Sequence, residues 1–226
     1  MNELLFFLTI ILSFLGVLTA FRFWGKAGLF AWIGFSTILV NIEVLKCVDI
    51  FGMSVTLGNV LYGSTFLCTD ILSENYGGKH SRKAVMVGFF TLLAFLVLSQ
   101  ISLWFVPNES DFISPALKTI LGAVPRLVLA SVTAFFVSNT LDTYLYEFWG
   151  KFTDKIWVKN NLSTLVSQAV DIVIFAFIGW AGLFPWNVFW ELVWTSYLMK
   201  FIVAICDTPF AYWGKSIYKK YHSQNE

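Results

Sequence analysis

Seven apolar runs follow one another along this 226-residue chain. Each approaches the roughly 20 residues that a helix needs to cross a hydrocarbon core about 30 Å thick. They lie near Leu4–Phe21, Leu29–Lys46, Thr56–Tyr76, Ala84–Val106, Val124–Trp149, Leu162–Phe184 and Val188–Trp213. Lipid offers no partner to backbone N–H and C=O groups, so runs of this length must satisfy themselves as helices. The segments between them are too short for a soluble domain. The expectation is an all-α polytopic membrane protein: one integral membrane domain over residues 1–226, a bundle of six to seven helices with seven preferred. A 58% hydrophobic share against 13% charged residues excludes an ordinary soluble globule.

The loops supply an orientation. Arg22 and Lys26, then Lys79, Arg82 and Lys83, then Lys151, Lys155 and Lys159, then Lys215, Lys219 and Lys220 fall on one side of the expected bundle. Asp49, Glu109, Asp111 and Glu191 mark the other. Basic loops stay in the cytoplasm, which puts the amino terminus outside and residues 214–226 inside as a short tail. The first run lacks a basic leader and a small-residue cleavage site, so it reads as a helix kept in the chain. Trp24, Trp32, Trp104, Trp149, Trp186, Trp190 and Trp213 fall near span ends, as an interfacial belt predicts. Cys47, Cys68 and Cys206 are odd in number and lie in or beside apolar runs, and read as packing residues.

Ionisable residues inside the runs carry the functional signal, because each costs roughly 2.5–3.5 kcal/mol at mid-helix on insertion scales. The segment Phe66–Lys79 holds Asp70 and Glu74 and runs into Gly77-Gly78 and a basic patch. At about 1.5 Å per residue, Asp171 lies roughly 13 Å from the cytoplasmic edge and Lys200 roughly 18 Å from the outer one. Both therefore sit near mid-membrane, with opposite charge, and a salt bridge or shared ligand is the natural expectation. Asp70, Glu74, Asp142 and Asp207 fall toward the cytoplasmic ends, where Arg82 and Lys83 are placed to neutralise some of them. Arg126 opens the fifth span on the outer side, about 24 Å along the axis from Asp142.

Helical spacing groups these residues into faces. Thr164, Gln168, Asp171 and Phe175 form one stripe; Ser131, Phe135, Ser138 and Asp142 a second; Lys200, Ala204 and Asp207 a third. Such stripes face a bundle interior or a wet cavity rather than lipid. The bland reading is that these groups are interhelical glue, at about 0.6 kcal/mol each. Both histidines, His80 and His222, fall in cytoplasmic segments, and HExxH, GxSxG, CxxC and phosphate-loop motifs are missing. The expectation is therefore no enzyme, no metal and no cofactor. Asn139-x-x-Asp142 and Gln168-x-x-Asp171 share an amide-x-x-Asp pattern on consecutive helices, suggestive of related units.

The order of motifs carries more than any one of them. Asn41-Ile42 with Lys46, and Thr56 with Gly58, precede Phe66-Leu67-x-Thr69-Asp70-Ile71-Leu72-Ser73-Glu74-x-Tyr76-Gly77. Arg82-Lys83-Ala84-Val85, Gly88-Phe89, Pro125-Arg126 and Ala130-Ser131 follow. Asn139-x-x-Asp142, Asn161-x-Ser163-Thr164, Gln168-x-x-Asp171, and Lys200 with Asp207-Thr208-Pro209-Phe210 complete the set. From about Asn41 to Tyr212 the chain resembles the queuosine precursor transporter family, also called the VUT family. The resemblance implies a multi-pass protein of the bacterial inner membrane. It would import 7-cyano-7-deazaguanine, 7-aminomethyl-7-deazaguanine or queuine for tRNA modification. Members are usually drawn with six helices, so residues 1–23 would be an additional amino-terminal one. Asn139 stands where other members carry Gln.

The residue chemistry is compatible with such a ligand. A guanine-like edge presents adjacent N–H donors that a carboxylate accepts in a pair, and amides read its carbonyl and ring nitrogen. Asp171 and Gln168 are the candidate edge readers, Asn139 and Asp142 further polar candidates, Phe135 and Phe175 stacking candidates, and Lys200 the balancing cation. Asp70, Glu74, Arg82, Asp207 and Arg126 are candidates for gate or coupling. The partners implied are the deazapurine and the lipid bilayer, with no direct nucleic acid, and a homodimer stays open. The competing class is a substrate-binding membrane subunit of an ATPase-dependent small-vitamin uptake system, and a third is an intramembrane enzyme.

Overall fold

The computed structural model describes residues 1–44, 46–122, 125–182 and 185–222. Val124 and Phe184, two of the expected span limits, lie outside the described residues. The elements are α1 (Asn2–Glu43), β1 (Cys47–Ile50), β2 (Met53–Thr56), α2 (Asn59–Tyr76), α3 (Gly78–Trp104), α4 (Ser114–Gly122), α5 (Pro125–Gly150), α6 (Ile156–Gly179) and α7 (Trp186–Tyr221).

Helix α1 contains the first two apolar runs and is folded back on itself. Gly25, with φ 55° and ψ −135°, has a backbone open chiefly to glycine and breaks the helix there. Trp32 packs against Gly16, so closely that a Cβ on Gly16 would lie 2.2 Å from the indole. Sixteen residues of unbroken helix would hold them about 24 Å apart. Asn2 also donates to the Asp49 carbonyl at 2.9 Å, beyond the end of the second arm. The two arms, residues 2–24 and 26–43, are therefore antiparallel. With them, α2, α3, α5, α6 and α7 form seven rods that follow the seven apolar runs.

Among the described residues, four helices are long and apolar enough to cross a membrane by length and composition: α1, α3, α6 and the part of α7 from Phe189. Among the described residues, helices α2 and α5, each carrying several buried polar side chains, do not meet that criterion. In α2 every residue from Val60 to Leu72 is buried. It is a central rod packed by α1, α3, α5, α6 and α7, and lipid barely touches it. Phe14, Phe66, Leu67, Ile71 and Met199 belong to the apolar core around it.

One end of the bundle gathers the basic residues. His222, just after α7, contacts the Phe21 carbonyl at 2.9 Å beside the α1 turn, and Tyr76 at the end of α2 packs edge-on against Tyr218. Arg22 stacks on Tyr221, Lys26 over Tyr76, and Arg82 pairs with Glu147. The opposite end holds α4 and a hairpin in which Cys47 pairs with Thr56 and Ile50 with Met53. Phe51 and Gly52 both have positive φ, the geometry of a two-residue hairpin turn that matches strand twist.

The structure corrects several boundaries and environments. The hairpin and α4 occupy stretches read from the sequence only as loops. Helix α2 begins at Asn59 rather than Thr56, and α6 at Ile156 rather than Leu162, so Lys159 is helical and buried instead of lying in a loop. Trp24, Trp104, Trp186, Trp190 and Trp213 are exposed as an interfacial belt requires. Trp32 instead donates to Ser64 Oγ at 2.9 Å inside the bundle, and Trp149 is only partly exposed. Cys68 and Cys206 are free thiols.

Candidate functional site

The centre is a carboxylate on α6 shared by three helices. Asp171 Oδ1 accepts from Tyr62 Oη of α2 at 2.5 Å and from Ser138 Oγ of α5 at 2.9 Å. Its Oδ2 accepts from Lys200 Nζ of α7. The Lys200 ammonium also lies 4.7 Å from the centre of the Tyr62 ring. Asp171 and Lys200 are 3% and 6% exposed, so the charges compensate each other in a region that water scarcely reaches.

This cluster forms part of the wall of a narrow cavity of about 60 Å³. Asp171, Lys200 and Tyr62 line it together with the rings of Phe135, Phe175 and Trp180. Asn41, Asn59 and Ser196 add hydrogen-bonding groups from three further positions. Phe175 and Trp180 meet edge to face at 5.2 Å and close one side. Behind Phe135, Gly88 of α3 permits close approach: a Cβ there would sit 2.6 Å from Phe135 Cζ. The helical lining residues belong to the halves of their helices away from the basic end, and Val44, Gly58 and Trp180 cap helix ends on that side.

A second polar cluster lies one to two turns deeper, toward the basic end. Asp70 of α2, Asp142 of α5 and Asp207 of α7 are 1%, 0% and 0% exposed. Ser167 of α6 donates to Asp142 Oδ1 at 2.9 Å, and Asn160 of α6 donates to Asp207 Oδ1. Beyond them Glu74 accepts from Lys159, from Lys215 at 2.6 Å and from the Tyr146 hydroxyl at 3.1 Å. That set ties α2, α5, α6 and α7 together at the basic end.

The expected residues thus separate into distinct places. Asp171, Lys200, Phe135 and Phe175 converge on one cavity. Gln168, Asn139 and Asp142 are not among its described lining residues. Asn139 Nδ2 lies 3.5 Å from the Tyr62 hydroxyl and donates to the Phe135 carbonyl at 3.1 Å. Gln168, one turn below Asp171, is buried with Oε1 lacking a partner. Arg82 bonds Glu147 at 2.8 Å, and the cations that neutralise Glu74 are Lys159 and Lys215, not Arg82 or Lys83. Arg126 donates to the carbonyls of Ile178 and Ala181, both at 2.6 Å, and so ties α5 to the end of α6. The three stripes read from the sequence do face the interior: Ser138, Asp142, Gln168, Asp171, Lys200 and Asp207 are all buried.

Tyr62 is the residue that sequence reasoning missed. Its signal was its place on one face with Phe66 and Asp70 at i, i+4 and i+8. A tyrosine in an apolar run passes for packing, and only the fold shows its hydroxyl aimed at a carboxylate on another helix.

Comparison with known proteins follows the same residues. Positions 56–214 match the model of a family described as "Putative vitamin uptake transporter". A "Probable queuosine precursor transporter" of Bacillus subtilis (strain 168) is 42% identical over 210 residues, covering 92% of this chain and 92% of the relative. No solved structure matches the chain.

Proposed function

The chain belongs to the vitamin uptake transporter family, and from that footing we propose that it carries queuosine precursors across the bacterial inner membrane through the Asp171 cavity. It is a multi-pass membrane protein of that family. The observation that carries the site is the Tyr62–Asp171–Lys200 group on the wall of an aromatic cavity. A 7-deazaguanine presents an amine and a ring N–H side by side, and a carboxylate accepts both. Asp171 takes that edge when Ser138 yields its hydrogen bond, the Tyr62 hydroxyl holding the carboxylate in place, and Lys200 donates to the ring carbonyl. Phe135, Phe175 and Trp180 supply faces on which a flat base stacks. The 7-substituent, which separates the cyano, aminomethyl and cyclopentene-bearing precursors, meets the Asn41, Asn59 and Ser196 side.

The orientation follows from charge. Basic clusters gather at one end, so that end is cytoplasmic, the cavity is in the outer half and the amino terminus is outside. The Glu74–Lys159–Lys215 set then closes the inner mouth. Import requires that set to part while the outer wall closes over the base, as in transporters that alternate access around a mid-membrane site.

The test is expression of this chain alone in a strain that makes no queuosine precursors. Queuosine reappears in tRNA at low external precursor, and Asp171→Asn abolishes the rescue at equal membrane abundance. Rescue that depends on a co-expressed ATPase would make the chain a binding subunit instead. A chemically altered base recovered from the cells would make it an enzyme.

A further inference from the structure

The carboxylates of Asp70, Asp142 and Asp207 have no role in the cavity above, yet they are among the most buried polar groups in the bundle. Both oxygens of Asp70, and Oδ2 of Asp142 and of Asp207, are buried without a hydrogen-bond partner. Asn160 adds a fifth such acceptor. Its Nδ2 is committed to Asp207, which leaves its Oδ1 buried beside the cluster with nothing donating to it. Asp70 and Asp142 are fully buried on the packed helices α2 and α5, near enough for their charges to interact. Two carboxylates so placed cannot both be charged in a dry interior, and one proton held between them satisfies both.

The surrounding charges do not resolve the cluster. Lys159 of α6 and Lys215 of α7 are turned to Glu74, as is the Tyr146 hydroxyl of α5. Arg82 of α3 is paired with Glu147. On α1, Arg22 and Lys26 rest on aromatic rings nearer the basic end. Cys68 of α2 and Cys206 of α7 are the other titratable neighbours. The hydroxyls of Ser163, Thr164 and Ser167 on α6 are turned to Asp142, but no side chain donates to either oxygen of Asp70, which leaves a proton as the group that would satisfy it. Among the described residues, no three His, Cys, Asp or Glu side chains are grouped as a metal cage requires.

We propose that Asp70 and Asp142, with Asp207 and Asn160 beside them, form the proton site that couples inward movement of the base to inward movement of H⁺. This rests on the transporter reading above. The pair lies between the cavity floor and the Glu74 closure, on the same helices as both: Tyr62, Asp70 and Glu74 share α2, and Lys200 and Asp207 share α7. A proton arriving from the outside binds an Asp oxygen and bridges to its neighbour, and the opposing carboxylates then pack without repulsion. Opening of the Glu74 closure exposes the pair to the cytoplasm, where the proton leaves to water and the repulsion returns. No bond other than O–H forms or breaks.

The test uses the full chain reconstituted in liposomes with labelled 7-cyano-7-deazaguanine. One proton per substrate allows roughly tenfold accumulation for each pH unit, acid outside. Wild type should accumulate label along that gradient. Asp142→Asn and Asp70→Asn should fall to a ratio of about one while still exchanging internal for external label, since they leave the cavity intact. Accumulation that follows a sodium gradient, or that survives both substitutions, overturns the proton site and leaves the transporter reading standing. Absence of uptake and exchange for every deazapurine sinks the transporter reading. The proton site is then judged by infrared spectra of the protein alone, where a protonated-carboxyl C=O band at neutral pH should vanish in the double variant. A wild type without that band overturns it.

Discussion

Tyr62 donates to Asp171 across the α2–α6 interface at 2.5 Å, and the same carboxylate holds Lys200 from the other side. A phenol thus spans the gap between the central helix and the charged residue of its neighbour. Its ring lines the cavity while its hydroxyl orients the carboxylate proposed to read the ligand. Tyr62→Phe keeps the ring and removes the hydrogen bond, which is worth about 1.5–3 kcal/mol when a charged acceptor is involved. We expect precursor affinity to fall roughly 10- to 100-fold, with the protein still folded. Binding titration of the purified variant, with circular dichroism as the folding control, checks this.

The Asp171–Lys200 pair makes a second prediction. Breaking a buried ion pair from one side costs about 3–5 kcal/mol, because the remaining charge is stranded. Lys200→Met and Asp171→Asn should each lower the melting temperature in detergent. Their combination should recover most of the loss, yet none of the uptake. A double variant no more stable than either single one would mean that the two charges are not coupled.

Much of this was legible in the chain, and the reason is depth. Asp171 and Lys200 could be brought to the same level because helical rise converts residue number to height, and a shared level with opposite charge suggested contact. The same arithmetic placed Asp70, Glu74, Asp142 and Asp207 toward the cytoplasmic side. Rotation about each helix axis was much less legible. Gln168 and Asp142 share helical stripes with Asp171 and Phe135, but a stripe is wide enough to face two clusters. Only the packing of α2 between α5, α6 and α7 divides the stripe into a cavity wall and a deeper acidic cluster. Lys159 was hidden for another reason: the polar Asn160-Asn161 pair after it reads as a loop. Its attraction to Glu74 rewards the extra helical turn. The Phe51-Gly52 turn was visible as a dipeptide but overshadowed by the apolar runs around it.

Gly88 tests the cavity wall. A methyl group at this position meets Phe135 Cζ at 2.6 Å and Ile33 Cγ2 at 2.8 Å. Gly88→Ala should cost about 1–3 kcal/mol through overpacking and push the Phe135 ring into the cavity. Thermal denaturation and precursor binding should both weaken. Loss of stability with unchanged affinity would show that Phe135 does not border the bound base.

The loop before α4 carries a pH prediction outside the membrane. Asp111 Oδ1 accepts from the backbone N–H of Ile113 at 2.8 Å and of Ser114 at 2.9 Å, and Oδ2 accepts from the Ser114 hydroxyl at 2.6 Å. These bonds, the Ser114 hydroxyl first, hold the carboxyl below the usual aspartate range. The lowered value means that the loop's contribution is present above the ordinary aspartate range and fades as pH falls through the folded value. Hydrogen exchange at the first turn of α4 should therefore be slow at neutral pH and speed up only in acid, beyond the intrinsic chemical rate. Asp111→Ala should abolish that pH dependence.

The most direct measurement is equilibrium binding of labelled 7-cyano-7-deazaguanine to the purified chain, wild type beside Asp171→Asn. Saturable binding by wild type, displaced by the other two precursors and lost by at least roughly 100-fold in the variant, is the predicted result. Binding by Asp171→Asn at wild-type affinity would contradict the assignment of this cavity as the precursor site.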